Sequence, residues 1–428
     1  IFYLLIISLM NNNIRFDLSN YLIHFFRDID LESGDWVALP EHMGWENIYE
    51  DTFLPSFFML RAALRNGRLW ATWSIRGEKR TIYGPRPAIC FTEMPIAAFL
   101  EAGNSRWERG EAMSQLAFVF PKDSLFQLGS RPVISGLDAS VRVSSYDDSN
   151  GNRMLRTDVL PVAEQYRYIT FNLGGTRNID WSHEREWRWP CNADMTAYNI
   201  QLKEYGVISS WDEIPGLDFY NINGIGVIVK NEAQANLIIS DILTIVDNGR
   251  ASFNTFGFVL ITDLLPNTIK LQEPEKISNT IANAIVDLAP YFSLNDEECK
   301  KYTERFSLLV SEILEIPPSP ISTEWGGCWL WLHDNKSPLA RALLRTNWAF
   351  VSEDGRYLVR LDGFSKKYKD LQQKEKITAK LADLVKKEFG VQSCYFSVGN
   401  SFNPTDVPFY AGKFDPDISF FNCAWNNP

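Results

Sequence analysis

Histidine is scarce in this 428-residue chain: the four residues His24, His42, His183 and His333 are scattered. None stands at ligand spacing from another histidine or a cysteine, which argues against the usual zinc-type sites. The six cysteines Cys90, Cys191, Cys299, Cys328, Cys394 and Cys423 form no CxxC pair. So few in so long a chain fit a reducing, cytoplasmic compartment better than a disulfide scaffold. There is no Walker lysine loop and no GxGxxG; Gly224-Ile225-Gly226 lacks the third glycine, and Gly174-Gly175 reads as a turn. A GxSxG elbow is missing too. The familiar devices for handling phosphates and acyl groups are therefore absent.

Long apolar runs are also lacking. Ile1 to Met10 is too short to span a bilayer. It has no basic leader, and Asn11-Asn12-Asn13 follows where small residues would mark a cleavage site. It reads as a buried first element, and no membrane association is expected. Positive charge is not in excess either, the formal net charge being −11. The lysines between Lys366 and Lys387 alternate with Asp370, Glu375 and Asp383, the pattern of a solvated helix face. Binding to an extended duplex is disfavoured, while a local positive groove for a single strand stays open.

Aromatic residues, by contrast, are plentiful at 14%, with 14 tryptophans. They suit stacking pockets, a large interface or plain core filling. The length predicts two domains. Up to about Pro266 the chain carries short runs rich in β-branched and aromatic residues: Ala88–Thr92, Gln115–Phe120, Tyr168–Leu173, Gly224–Val229 and Phe256–Thr262. Pro55–Asn66 and Glu232–Asp247 read as helices, giving an α+β class without regular strand–helix alternation. Beyond 266, Ile277, Ile281, Ile285 and Leu288 recur at helical spacing, as do Tyr302, Phe306, Leu309, Ile313 and Leu314. Tyr368, Leu371, Ile377, Leu381, Leu384 and Val385 predict a third helix capped by Gly390. Strand-like pieces, Cys328–Leu332, Tyr357–Leu361 and Cys394–Val398, lie between and after them. The predicted division is 1–265 and 266–428.

Three segments carry possible chemistry. In Tyr21-Leu22-Ile23-His24-Phe25-Phe26-Arg27 a histidine interrupts an apolar run, as a structural residue or a ligand contact. In Ala88-Ile89-Cys90-Phe91-Thr92-Glu93-Met94-Pro95 a buried strand ends on polar residues stopped by proline, at a cleft or simply at a turn. In Trp181-Ser182-His183-Glu184-Arg185-Glu186-Trp187-Arg188, strand alternation places Glu184, Glu186 and Arg188 on one face. Those carboxylates suit stabilisation of a positive sugar carbon, and equally a surface ion-pair ladder. Arg188 suits either a structural ion pair with one of them or a cofactor phosphate.

Together the three segments resemble bacterial ADP-ribosyltransferase-like proteins, closest to the AbiGi-type abortive-infection family and more distantly the DarT-like toxins. The resemblance covers about the first 190 to 265 residues. It implies a split β-sheet gripping NAD in a cleft. His24, with Phe25 beside it, would contact the cofactor, and Phe91 and Thr92 would line the nicotinamide pocket. Glu186 would be the catalytic carboxylate, with Glu184 the alternative. The chain has no Ser-Thr-Ser strand of the kind arginine-specific transferases carry, which argues against an arginine acceptor. The activity implied is NAD-dependent transfer of ADP-ribose by a toxin or anti-phage effector to an intracellular macromolecule, nucleic acid being favoured over protein. An NAD glycohydrolase and a non-catalytic nucleotide-binding module are the alternatives. The second domain would then accommodate an antitoxin, a chaperone, a signal or the substrate. Its Trp325-Gly326-Gly327-Cys328-Trp329-Leu330-Trp331 segment reads as a stacking surface, a partner site or packed core.

Overall fold

The computed structural model describes residues 19–30, 53–76, 79–109, 113–137, 144–173, 179–195, 215–266, 274–361 and 363–412. The apolar opening run and His42 lie outside them. The architecture is α+β and falls into two compact units. Among the described residues no helix is long and apolar enough to cross a membrane.

The first unit is built on an eight-stranded mixed sheet. Its principal elements are β1 (Tyr21–Phe25), α1 (Ser56–Asn66), β2 (Ala88–Thr92), α2 (Ile96–Glu108), β3 (Ala117–Pro121), α3 (Lys122–Gln127), β4 (Arg131–Pro132) and β5 (Glu186–Pro190). They are followed by β6 (Ile225–Val229), α4 (Glu232–Asp247), β7 (Phe256–Ile261), α5 (Pro274–Asn283) and β8 (Ile285–Asp287). The spatial order is β8-β7-β6-β3-β1-β2-β5-β4. Only a crossover connection can join parallel neighbours, and α4 supplies it between parallel β6 and β7. Pro87 and Pro95 bracket β2, whose composition suits a pleated, half-buried surface. Helix α1 ends at Gly67, whose left-handed φ of 67° lets its amide return to the Ala63 and Leu64 carbonyls. A side chain there would strike the Tyr220 ring.

One seam interrupts the main sheet. β1 pairs with β3 along its whole length, Tyr21 to Phe25 against Pro121 to Ala117. β2 pairs equally fully with β5, from Thr92–Glu186 to Ala88–Pro190. Between β1 and β2, however, the ladder holds at Ile23↔Thr92 alone. One sheet face is covered by a core of Ile23, Phe99, Leu100, Ala117, Val119, Ile228 and Leu260. On the other lies an aromatic cluster in which Phe91, Phe118, Phe120 and Phe219 meet mostly edge to face.

The second unit contains α6 (Asp296–Leu314), β9 (Gly326–Leu332), α7 (Pro338–Arg345), β10 (Ala349–Val351), β11 (Tyr357–Val359), α8 (Leu371–Phe389), β12 (Ser393–Gly399) and β13 (Phe409–Ala411). Its sheet runs β10-β11-β9-β12-β13. Leu330, Leu332, Val359, Phe306, Leu343, Ile377 and Leu381 share its main core. Gly390 does cap α8, at φ 71°. The helix opens on Asp370, whose carboxylate accepts from the Gln373 amide at 2.7 Å and from the Ser322 hydroxyl at 2.9 Å. Burial acts to raise the Asp370 pKa, but these hydrogen bonds outweigh it and hold the value below the ordinary aspartate range. Its stabilising contribution is therefore complete above the unfolded value of roughly 3.9 and is lost as pH falls through the lower folded value. Acid unfolding of Asp370→Asn should accordingly begin less steeply than that of the parent, as followed by circular dichroism.

Two sequence expectations change here. The helical spacing through Ile285 and Leu288 breaks, because α5 ends at Asn283 and Ile285–Asp287 becomes edge strand β8. The division also differs from 1–265 and 266–428. The described residues up to Ala235 and from Asn254 to Val286 form one unit, and Asn236–Phe253 with those from Asp287 onward form the other. Ile281 and Ile285 pack on the first unit's core, which carries its limit past 266. Most of α4 goes to the second unit, where Asp247 forms a two-pronged ion pair with Arg341 at 2.5 and 2.9 Å. Tyr357 donates to the same carboxylate at 2.5 Å.

Candidate active site

The three sequence segments come together on adjacent strands. Ile23, Thr92 and Glu186 form one row across β1, β2 and β5. Alternation then puts Phe25, Cys90, Thr92, Glu186 and Arg188 on one face, and His24 with Phe91 on the other.

Glu186 opens β5, and Arg188, two residues on, shares its face as expected. The Arg188 guanidinium grips the carboxylate through Nε at 2.7 Å and Nη2 at 3.3 Å. Its Nη1 donates to the Tyr166 and Tyr168 carbonyls at 2.6 and 3.3 Å. The Arg188 side chain is 6% exposed and that of Glu186 18%, so the carboxylate is reachable while the cation behind it is not. Of the two roles read for Arg188, the structure supports the ion pair, and the guanidinium is committed to aiming Glu186.

Glu184 departs from the strand reading. Residues Ser182–Glu184 form a short 3₁₀ turn, and Arg185 takes a left-handed φ of 45°. The cause is local: Asp180 accepts from both the amide and the hydroxyl of Ser182, at 2.9 and 2.6 Å, fixing a turn where alternation predicted extension. Glu184 therefore does not share the Glu186–Arg188 strand face. Its carboxylate is held by Arg106 at 2.7 Å instead.

Thr92 is 4% exposed. Its hydroxyl donates to the Glu184 carbonyl at 2.6 Å and accepts the Met94 amide at 3.2 Å. That arrangement makes it the fastener between β2 and the turn preceding Glu186, with no open surface toward a nicotinamide ring. Thr92→Val should cost about 1–3 kcal/mol by stranding the Glu184 carbonyl, with Thr92→Ser close to the parent in thermal unfolding. Phe91, 2% exposed, packs within the aromatic core, and Phe25 lies against Phe99.

His24 occupies the seam. Its Nδ1 lies 2.9 Å from the Cys90 carbonyl, the group a longer ladder would have offered to the β1 backbone. Burial lowers its pKa to about 4, against the opposing pull of that hydrogen bond, so the ring is neutral near pH 7. A carbonyl only accepts, so Nδ1 carries the proton and Nε2 presents a lone pair. Phe91 and Phe26 meet the ring edge-on at 5.7 and 5.1 Å.

No motif in the sequence singles out Cys90 or Arg106. Cys90 stands directly opposite Arg188 and two residues from Thr92. Its place on the Glu186 face follows from the same alternation that placed Thr92. Burial, and next the Glu186 charge, push its thiol pKa well up, leaving it protonated. Arg106 lies on α2, and no local pattern links it to Glu184.

A family model described as a protein of unknown function, DUF4427, matches residues 294–423, within the second unit. No curated protein and no solved structure matches the chain.

Proposed function

We propose that the first unit is an NAD-dependent ADP-ribosyltransferase, an effector or toxin that modifies an intracellular macromolecule. The observation that carries this reading is the single row Ile23–Thr92–Glu186, which unites three segments far apart in sequence on adjacent strands. The seam between β1 and β2, with a neutral histidine set into it, supports the split-sheet expectation.

In this reading the bond between the ribose C1′ and the nicotinamide nitrogen breaks, and its electron pair leaves with neutral nicotinamide. The carboxylate of Glu186 stabilises the oxocarbenium-like carbon that remains. Arg188 keeps that carboxylate aimed at no reorganisation cost during the reaction. His24 lies on the other sheet face, so in this reading it meets the cofactor at the seam where β1 and β2 part, its Nε2 lone pair accepting a hydroxyl hydrogen. The acceptor's nucleophilic atom then bonds to C1′ and its proton passes to a carboxylate, the role this reading gives to Glu184.

In the 325–331 segment Trp331, 7% exposed, belongs to the core and Trp329 packs on it, while Trp325, 48% exposed, lies beside Phe402 in the second unit and not in the first, to which the reaction is assigned. The preference for nucleic acid rests instead on Trp181, 40% exposed, and His183, whose rings lie 6.1 Å apart in the turn holding Glu184. Incubation with NAD labelled in its adenylate part, together with cellular RNA, single-stranded DNA and protein, tests the proposal. Label on a nucleic acid is the expected result. Label on protein moves the acceptor class, free ADP-ribose makes the chain a glycohydrolase, and intact NAD sinks the reading in favour of a binding module.

A further inference from the structure

Cys90 touches both halves of the candidate site through different atoms. Its backbone carbonyl accepts the His24 ring at 2.9 Å. Its side chain, on the face of β2 away from the His24 ring, stands directly across the ladder from Arg188, the residue that grips the Glu186 carboxylate. Directly opposed residues in an antiparallel pair bring their Cβ atoms to about 4.5–5.5 Å, within reach of short side chains.

We propose that Cys90 is a positioning residue of this site: its thiol backs the Glu186–Arg188 pair from the facing strand while its carbonyl sets the His24 tautomer. One residue thereby fixes the relation between the group that meets the cofactor and the group that meets the reacting carbon. The thiol is not a nucleophile in this role. A nucleophile needs the thiolate, and both burial and the Glu186 charge disfavour ionisation. A small, soft side chain also fits where a larger one would push the carboxylate out of line. The catalytic consequence rests on the NAD-cleaving reading above, whereas the coupling between thiol and carboxylate does not.

The test uses the full chain and two independent readouts. In the first, the rate of Cys90 alkylation by iodoacetamide at pH 8 is followed by peptide mass spectrometry in the parent and in Glu186→Gln. Removing the carboxylate leaves Arg188 to favour the thiolate, so alkylation should rise at least about fivefold, a shift of roughly 0.7 in pKa, worth about 1 kcal/mol. Cys299, buried in the second unit, serves as the internal reference, and its rate should stay level. In the second, Cys90→Ala should lower kcat for NAD cleavage about tenfold with KM within twofold, and Cys90→Ser should recover most of the loss. Equal alkylation rates in a folded Glu186→Gln protein would overturn the proposal. So would full kcat in Cys90→Ala, or a serine variant no better than alanine. If the parent leaves NAD intact, the transferase reading fails by itself, and the alkylation ratio still decides whether Cys90 and Glu186 are coupled.

Discussion

Glu186→Gln is expected to slow NAD cleavage by about 10²–10³-fold, the usual consequence of removing one preorganised electrostatic group from a developing charge. The amide keeps the shape and one acceptor oxygen, so Arg188 retains a partner alongside the Tyr166 and Tyr168 carbonyls. The stability loss should stay at about 1.5–3 kcal/mol, the range for a hydrogen bond to a charged group, and unfolding should remain cooperative. Glu184→Gln should act more mildly, since its carboxylate faces Arg106 from a turn and not from the strand. Initial rates of nicotinamide release from both variants, with circular dichroism melts, check the pair. Full activity in Glu186→Gln with loss in Glu184→Gln would exchange the two assignments.

The second large effect lies far from the glutamates. Asp247→Ala should destabilise the second unit by about 3–5 kcal/mol, the cost of leaving one partner of a buried ion pair uncompensated. Asp247 and Arg341 are each 10% exposed, and Tyr357 would lose its acceptor as well. A fragment beginning at residue 287 lacks this carboxylate altogether. It should melt well below one that also carries 236–253, although every residue matched by the DUF4427 family is present in both. Differential scanning fluorimetry of the two fragments and of Asp247→Ala makes the comparison, and equal midpoints would remove the ion pair from the account.

Local order was legible in the sequence wherever a short-range rule governs it. Ala88–Thr92 and Glu232–Asp247 appear with the boundaries their composition predicts. Gly390 caps α8 because a left-handed residue is needed there. The shared face of Glu186 and Arg188 follows from alternation alone. What escaped depends on contacts that no local period encodes. Asp180 turns the chain at Ser182 and removes Glu184 from the strand. Arg106 reaches Glu184 across 78 residues, and Arg341 reaches Asp247, in the part of α4 that belongs to the second unit, across 94. The strand-end position of Thr92 suits a pocket residue, but its hydroxyl is committed to a backbone carbonyl 92 positions away.

The single pairing between β1 and β2 has a mechanical meaning. A full ladder shares load among many hydrogen bonds and opens only when they yield together. Here the β3-side and β2–β5 ladders are each continuous, and Ile23↔Thr92 alone ties them by backbone pairing. If the packing across the seam yields first, the large sheet should move as two stiff plates about a narrow hinge beside His24. Rotation of one plate against the other would change the distance from His24 to Glu186 without breaking either ladder. Amide exchange should accordingly be slow within each plate and fast along the seam, the pattern of two separately cooperative blocks in one continuous sheet.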